Sequence, residues 1–134
     1  MKPLEFHSIN YQGDQRGDSY SIPQEAIDFV GRIDEIHVAT ILPGAIRGNH
    51  YHGAKKEATV LLFSDTCRLA WKTLDAEEPM QQDFDGKDAI IFKVQPAVVH
   101  AIKNIGRLPI TLVSFSDKRH DPHNPDTIRQ VILK

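Results

Sequence analysis

Residues 44–57 read Gly-Ala-Ile-Arg-Gly-Asn-His-Tyr-His-Gly-Ala-Lys-Lys-Glu. Successive side chains of a β-strand point to opposite faces, so His50 and His52 project from the same side of one strand. Residues 53–56 indicate a turn, after which Glu57 opens an apolar run that is typical of the next strand. The stretch therefore predicts a β-hairpin that places two imidazoles and one carboxylate side by side.

A third histidine follows in residues 96–104, which read Pro-Ala-Val-Val-His-Ala-Ile-Lys-Asn. His100 comes after a proline turn, on a strand face from which it can close a site across a barrel. Neutral imidazole nitrogens and a carboxylate oxygen suit Zn, Fe, Mn, Ni or Cu, and the ligand types do not select one of these. We therefore expect a divalent transition-metal site formed by His50, His52, Glu57 and His100.

The rest of the chain predicts an all-β domain. Apolar and β-branched runs alternate with turn signals at short intervals. These runs cover residues 33–42, 58–63, 67–73, 89–94, 98–105, 110–115 and 127–133. Such spacing is typical of a β-sandwich or barrel, and only residues 23–30 have a helical pattern, with Pro23 suited to a first helical position. No linker divides the 134 residues, so we expect one domain over residues 1–134.

Charge and composition narrow the classes of partner and compartment. Sixteen basic and eighteen acidic residues give a formal charge of −2, which argues against nucleic acid as a partner. No apolar run is long enough to span a bilayer, so we expect no membrane insertion. A single cysteine, Cys67, cannot form an internal disulfide, and the N-terminal residues lack the apolar segment of a signal peptide. These features predict a cytoplasmic protein.

The two histidine motifs resemble the two barrel motifs of the cupin superfamily. The matching positions are Gly44, His50, His52 and Glu57 in the first motif and Pro96, His100 and Asn104 in the second, with Ala97 where glycine is usual. The resemblance implies a double-stranded β-helix, the jelly-roll barrel of cupins, and a homodimer paired by strand exchange. It also implies the same four ligands that the spacing indicates, and a cupin barrel without a bound ion is the alternative.

A narrower resemblance links the chain to cupin domains of capsular polysaccharide assembling proteins and to dTDP-4-keto-sugar 3,5-epimerases and 3,4-ketoisomerases. It rests on residues 47–52 (Arg-Gly-Asn-His-Tyr-His), 99–104 (Val-His-Ala-Ile-Lys-Asn) and 121–127 (Asp-Pro-His-Asn-Pro-Asp-Thr). The resemblance implies a nucleotide-sugar substrate and a substrate-binding role for Arg47, whose guanidinium can pair with phosphate or sugar oxygens. A surface arginine that caps the strand is the alternative.

The mechanism of the metal-free 3,5-epimerases does not transfer to this chain. In that family the histidine of Arg-Gly-x-His is the general base, but a ring nitrogen of His50 that binds a metal cannot also take a proton. Residues 110–116, where the acid tyrosine of that family is expected, contain no tyrosine. The remaining candidates for a base or acid are Tyr11, Tyr20, Tyr51, His37 and His120.

These patterns favour a metal-dependent cupin that acts on a small carbonyl-bearing ligand, above all as a nucleotide-sugar epimerase or isomerase. Two alternatives remain open from the sequence. One is an Fe-dependent dioxygenase of a small organic molecule, because three histidines and a glutamate also suit oxygen activation. The other is a cupin that binds a small ligand without catalysis.

Overall fold

The computed structural model describes residues 2–134, which form ten strands and one short helix. In chain order these elements are β1 (Leu4–Ser8), α1 (Gln24–Val30), β2 (Glu35–Ile41), β3 (Ile46–His52), β4 (Glu57–Phe63), β5 (Thr66–Thr73), β6 (Met80–Asp85), β7 (Asp88–Val94), β8 (Val98–Asn104), β9 (Ile110–Ser116) and β10 (Thr127–Arg129). They make two five-stranded antiparallel sheets with the orders β1-β7-β4-β9-β2 and β10-β3-β8-β5-β6. The predicted all-β architecture with one short helix is confirmed.

The core lies between the two sheets. Its largest fully buried apolar side chains include Leu61, Leu69, Ile90, Phe92 and Ile110, contributed by both sheets. Strands β4 and β7 are buried at nearly every position, because a second cluster covers the outer face of their sheet. Burial on both faces explains why these two strands read as continuous apolar runs rather than as alternating ones.

Helix α1 closes part of the outer face of the first sheet through Ala26 and Val30, both almost fully buried. The structure places Pro23 at the N-cap rather than at the first helical position, because its ψ of 138° is extended. The helix ends at Val30, and Gly31 follows as the C-cap with φ of 78°. Among residues 2–134 we find no helix with the length and apolar character that crossing a membrane requires.

Two strands were not predicted from the sequence, and one predicted run is shorter than expected. Strands β1 and β6 are edge strands, and β6 is polar and mostly exposed, so neither carries a strong apolar signal. The run at residues 127–133 forms a strand only as far as Arg129. Beyond it the backbone bonds to Asn49 instead: the Nδ2 of Asn49 donates to the carbonyl of Leu133, and its Oδ1 accepts from the amides of Ile132 and Leu133.

Candidate metal centre

A cavity of about 570 Å³ opens between the inner faces of the two sheets and contains all four predicted ligands. Strand β3 contributes His50 and His52, strand β8 contributes His100, and strand β4 contributes Glu57 from the facing sheet. Apolar side chains such as Ile102 and Leu112 form part of the wall. The volume falls within the range of small-molecule sites in proteins.

The three histidines form one tight group. One ring nitrogen from each of His50, His52 and His100 lies within 4.8 Å of the others. The ring centroids are 4.8 Å apart for His50 and His100, 4.9 Å for His50 and His52, and 5.7 Å for His52 and His100. The structure therefore brings together imidazoles that are about fifty residues apart in the sequence, as their spacing predicted.

Backbone carbonyls determine which ring nitrogens face the cavity. The Nδ1 of His52 lies 3.2 Å from the carbonyl oxygen of Asp126, and the Nδ1 of His100 lies 3.0 Å from that of Val98. A carbonyl oxygen can only accept, so each Nδ1 carries the proton and each Nε2 keeps its lone pair. Both Nε2 atoms are buried and have no hydrogen-bond partner among residues 2–134. Histidines that bind metals show the same pattern, with the second nitrogen bonded to a carbonyl or carboxylate.

Burial also keeps the imidazoles of His50 and His100 neutral. It lowers the pKa of His50 to about 4, with smaller contributions from His100 and His52. Burial likewise lowers the pKa of His100, which lies almost fully inside the protein. A neutral imidazole is the form that binds a metal ion, so both rings are in the ligating state at neutral pH.

Glu57 adjoins this group from the start of β4. Its Oε2 lies 3.1 Å from the Nε2 of His52, without hydrogen-bond geometry. Its Oε1 accepts from the hydroxyl of Thr59 at 3.1 Å and from that of Ser114 at 3.4 Å. Burial is the largest single influence on the pKa of Glu57 and raises it, but the contact with His52 and the nearby His100 and Lys55 together outweigh burial, and the pKa is lowered to about 2. A carboxylate and an imidazole lone pair at this distance repel each other unless a proton or a metal ion lies between them.

A bulge in β3 sets the direction of the first two histidines. The pairing of β3 with β8 shifts by one residue between Gly48 and His50, and Asn49 is the extra residue, with φ of 55°. Gly48 has φ of 95°, and a Cβ at this position would lie 2.6 Å from the carbonyl oxygen of His100. Glycine is therefore required where the bulged strand β3 lies close to the backbone of the third histidine in the neighbouring strand.

Of the predicted substrate-binding residue and the five candidates for a base or acid, some line the cavity and others do not. Arg47 lines the cavity and is exposed, and its Nε donates to the carbonyl of Thr40 at 2.8 Å. Of the five candidates for a base or acid, only His37 and His120 line the cavity. The tyrosines Tyr11, Tyr20 and Tyr51 are not among its lining residues. The structure thus reduces the set to two histidines, neither of which belongs to the three-histidine group.

Sequence reasoning missed three residues that support the site: Thr59, Ser114 and Asp126. Thr59 and Ser114 share a hydrogen bond of 2.7 Å and both face Glu57. Thr59 could have been found, because it is two residues after Glu57 and so shares its strand face. Asp126 and Ser114 are distant in the sequence and carry no such signal. The motif residue Asn104 donates to the carbonyls of Ile41 and Leu108 rather than lining the cavity.

Comparison with known proteins identifies the family. Residues 12–128 match the family described as the polysaccharide biosynthesis C-terminal domain, and the chain belongs to this family. A reductase of Pseudomonas aeruginosa, UDP-2-acetamido-2,6-beta-L-arabino-hexul-4-ose reductase, is 28% identical over 88 residues, which make up 66% of this chain and 23% of the reductase. The chain therefore spans about a quarter of the length of this curated relative.

Solved structures share the fold. The capsular polysaccharide assembling protein CapF from Staphylococcus aureus is 21% identical with a TM-score of 0.64, over 91% of this chain and 34% of CapF. A variant of the 3,4-ketoisomerase QdtA from Thermoanaerobacterium thermosaccharolyticum is 16% identical with a TM-score of 0.71, over 97% and 89% of the two chains. The 3,5-epimerase RmlC from Legionella pneumophila is 14% identical with a TM-score of 0.70, over 92% and 71%. The chain has the cupin fold that its motifs predicted.

Proposed function

We propose that this chain is a metal-dependent epimerase or isomerase of a nucleotide-linked keto sugar. The observation that carries the proposal is the pair of buried Nε2 atoms, on His52 and His100, that lack a partner among the described residues and face an ionised carboxylate. Two lone pairs and a negative charge in one place fit a cation. In this proposal His50, His52, His100 and Glu57 hold one divalent ion.

A divalent ion held there would supply Lewis-acid chemistry, polarising a carbonyl oxygen so that the neighbouring C–H proton becomes more acidic. The chain itself must then supply a base. His37 lies on the opposite sheet from the three-histidine group, and His120 lies in the segment after β9, where its backbone amide contacts Glu35 at 3.4 Å. Histidine titrates near neutral pH and is the most common general base in proteins.

We assign the proton transfer to one of these two imidazoles. The base removes the proton from the carbon beside the carbonyl, and the bonding electrons move toward the carbonyl oxygen. Return of the proton to the other face of the same carbon gives the epimer. Return of the proton to the former carbonyl carbon gives the isomeric ketone instead, when the hydroxyl proton on the deprotonated carbon moves to the former carbonyl oxygen. His50 is excluded as the base because its ring is proposed as a ligand.

The substrate class is supported by relatives and by charge. The 3,4-ketoisomerase structure contains TDP-4-keto-6-deoxyglucose, and the 3,5-epimerase structure contains dTDP-4-keto-L-rhamnose. In this chain Arg47 lies at the cavity wall, and a second cavity of about 330 Å³ shares Lys55 with the first and is also lined by Lys118 and Arg119. Positively charged side chains beside the cavity suit the diphosphate of a nucleotide sugar. On this basis we propose that Arg47 binds the substrate.

Solvent exchange tests the proposal directly. The zinc-loaded protein is incubated with a dTDP- or UDP-linked 4-keto sugar in D₂O, and deuterium on the carbons beside the carbonyl is followed by mass spectrometry. We expect incorporation without oxygen uptake, loss of rate in His37→Asn or His120→Asn, and normal rate in His123→Asn, a loop histidine outside both cavities. Oxygen consumption would instead favour the dioxygenase, and saturable binding without exchange would favour a non-catalytic cupin.

We also propose that the chain forms a homodimer through β2. This strand is the edge of its sheet, and its outer face exposes Ile36 and Val38 at 59% and 64% of their surface. An edge strand with exposed apolar side chains is suited to pairing with a second copy. Light scattering of Val38→Lys against the unchanged protein tests this: we expect the substitution to give a monomer, and an unchanged mass would exclude β2 as the interface.

A further inference from the structure

We propose that Asp126 is a positioning residue that holds His52 and Glu57 in place from the C-terminal segment. Asp126 precedes β10 and is more than sixty residues away from both in the sequence. It touches the β3–β4 turn through its carboxylate and the ring of His52 through its carbonyl. The proposal rests on the proposed function only in treating His52 and Glu57 as metal ligands.

The carboxylate of Asp126 fixes the turn. Its Oδ1 accepts from the amide of Gly53 at 2.9 Å, and its Oδ2 accepts from the amides of Ala54 and Lys55 at 3.0 and 3.1 Å. Three successive backbone N–H groups that converge on one anion form a nest, which is ordered by the anion it holds. This turn directly joins His52 to Glu57, so one side chain restrains the backbone between two proposed ligands.

The backbone of the same residue sets the tautomer of His52. The carbonyl oxygen of Asp126 lies 3.2 Å from Nδ1, and the hydroxyl of Thr127 lies 3.3 Å from the same nitrogen. The carbonyl keeps the proton on Nδ1, which leaves the Nε2 lone pair directed into the cavity. Losing this contact would allow the ring to turn or the proton to move to Nε2.

The cavity end of this segment is held against the sheet by hydrogen bonds, whereas at its far end Leu133 is buried. Strand β10 has only three residues, all exposed, and pairs Thr127 with His52 and Arg129 with His50. On its far side Asn49 binds the backbone at Ile132 and Leu133. Because β10 has little apolar area to bury, its cavity end depends on its pairing with β3 and on the three hydrogen bonds of the Asp126 carboxylate.

Asp126→Ala removes the attachment, and Asp121→Ala is the matched control. Asp121 is an aspartate of the same segment whose exposed carboxylate accepts from the amide of His123 and touches no ligand. Zinc affinity of the metal-stripped protein is measured by competition with a chromophoric chelator. We expect a 10- to 100-fold loss for Asp126→Ala, the range seen for residues that orient metal ligands, and less than twofold for Asp121→Ala. Asp126→Asn keeps one acceptor oxygen and should lose less.

The protonation of His52 is read separately in the zinc-free protein from the ¹⁵N shifts of its ring. We expect Nδ1–H in the unchanged protein and mixed tautomers in Asp126→Ala, an effect that a general loss of stability would not produce. Unchanged zinc affinity and tautomer in a folded Asp126→Ala protein would overturn the proposal, as would Nε2–H in the unchanged protein. If Asp126→Ala does not fold, Asp126→Asn is judged by the same two readings. Neither reading depends on turnover, so an absence of catalysis would refute only the proposed function.

Discussion

Replacing Gly48 with alanine tests whether the close approach of β3 to its neighbour β8 determines the position of His100. The new Cβ would lie 2.6 Å from the carbonyl oxygen of His100 and 3.0 Å from the Cα of Ala101. Restoring an ordinary contact of 3.4 Å requires the His100 carbonyl to move by about 0.8 Å in a closely packed barrel. Gly48 also has φ of 95°, so the substitution adds backbone strain.

Gly86→Ala separates the two effects. Gly86 lies in the β6–β7 turn with φ of 81°, and a Cβ there meets no atom within 4 Å. Left-handed strain alone costs about 1–2 kcal/mol, which is the free-energy loss we expect for Gly86→Ala. Crowding in a packed interior adds about 1–3 kcal/mol, so we expect roughly 2–5 kcal/mol for Gly48→Ala.

Urea denaturation of the zinc-free proteins measures both losses, and chelator competition measures zinc affinity. Because the His100 ring must follow its backbone, Gly48→Ala should also bind zinc at least tenfold more weakly, while Gly86→Ala should match the unchanged protein. Equal destabilisation by the two substitutions, with equal zinc affinity, would refute the view that the close approach of β3 to β8 positions His100.

Three further predictions concern the core and the site. Asn104→Ala should lower the free energy of unfolding by about 2–4 kcal/mol, because the buried Asn104 side chain bonds the carbonyls of Ile41 and Leu108 and the amide of Gly106, yet zinc affinity should change less than twofold. Burial raises the pKa of the Cys67 thiol to about 12, so a disulfide reagent at pH 8 should label Cys67 only after the protein is unfolded in urea. Fast labelling of the folded protein would contradict the burial of this thiol. The pKa of His50 falls from 6.5 to about 4 on folding, so as the pH drops from 6.5 to 4 the unfolded chain takes up the proton first and the zinc-free protein should lose stability. Because the ring is partly exposed, we expect this loss to be about 2 kcal/mol. Urea titrations at the two pH values measure it, and His50→Gln should show a smaller loss.

The sequence predicted the fold from elements whose signal is local. Six apolar runs correspond to β2, β4, β5, β7, β8 and β9. Five of these strands bury one or both faces, whereas β2 is an edge strand whose apolar residues Ile36 and Val38 are exposed. Strand β6 escaped prediction because it is a polar edge strand that buries little. The last run was cut short at Arg129 by hydrogen bonds to Asn49, a contact between residues eighty positions apart that no local pattern encodes.

The residues of the candidate site also divide into those with a local sequence signal and those that depend on distant contacts. Strand alternation placed His50 and His52 on one face, and the turn placed Glu57 beside them. The groups that orient these side chains come from elsewhere in the chain: the carbonyl of Asp126, the hydroxyl of Ser114, and the bulge at Asn49. Their effect depends on three-dimensional packing, so it became visible only in the structure.

The central claim is that one divalent ion is held jointly by three imidazoles and a carboxylate. Its most direct test is elemental analysis of the protein purified without added metal and then dialysed against zinc, compared with His50→Ala/His52→Ala prepared in parallel. We predict one ion per chain for the unchanged protein and less than a tenth of that for the double variant, with the fold retained in both by circular dichroism. Equal metal content in the two proteins would contradict the claim, as would no bound metal in either.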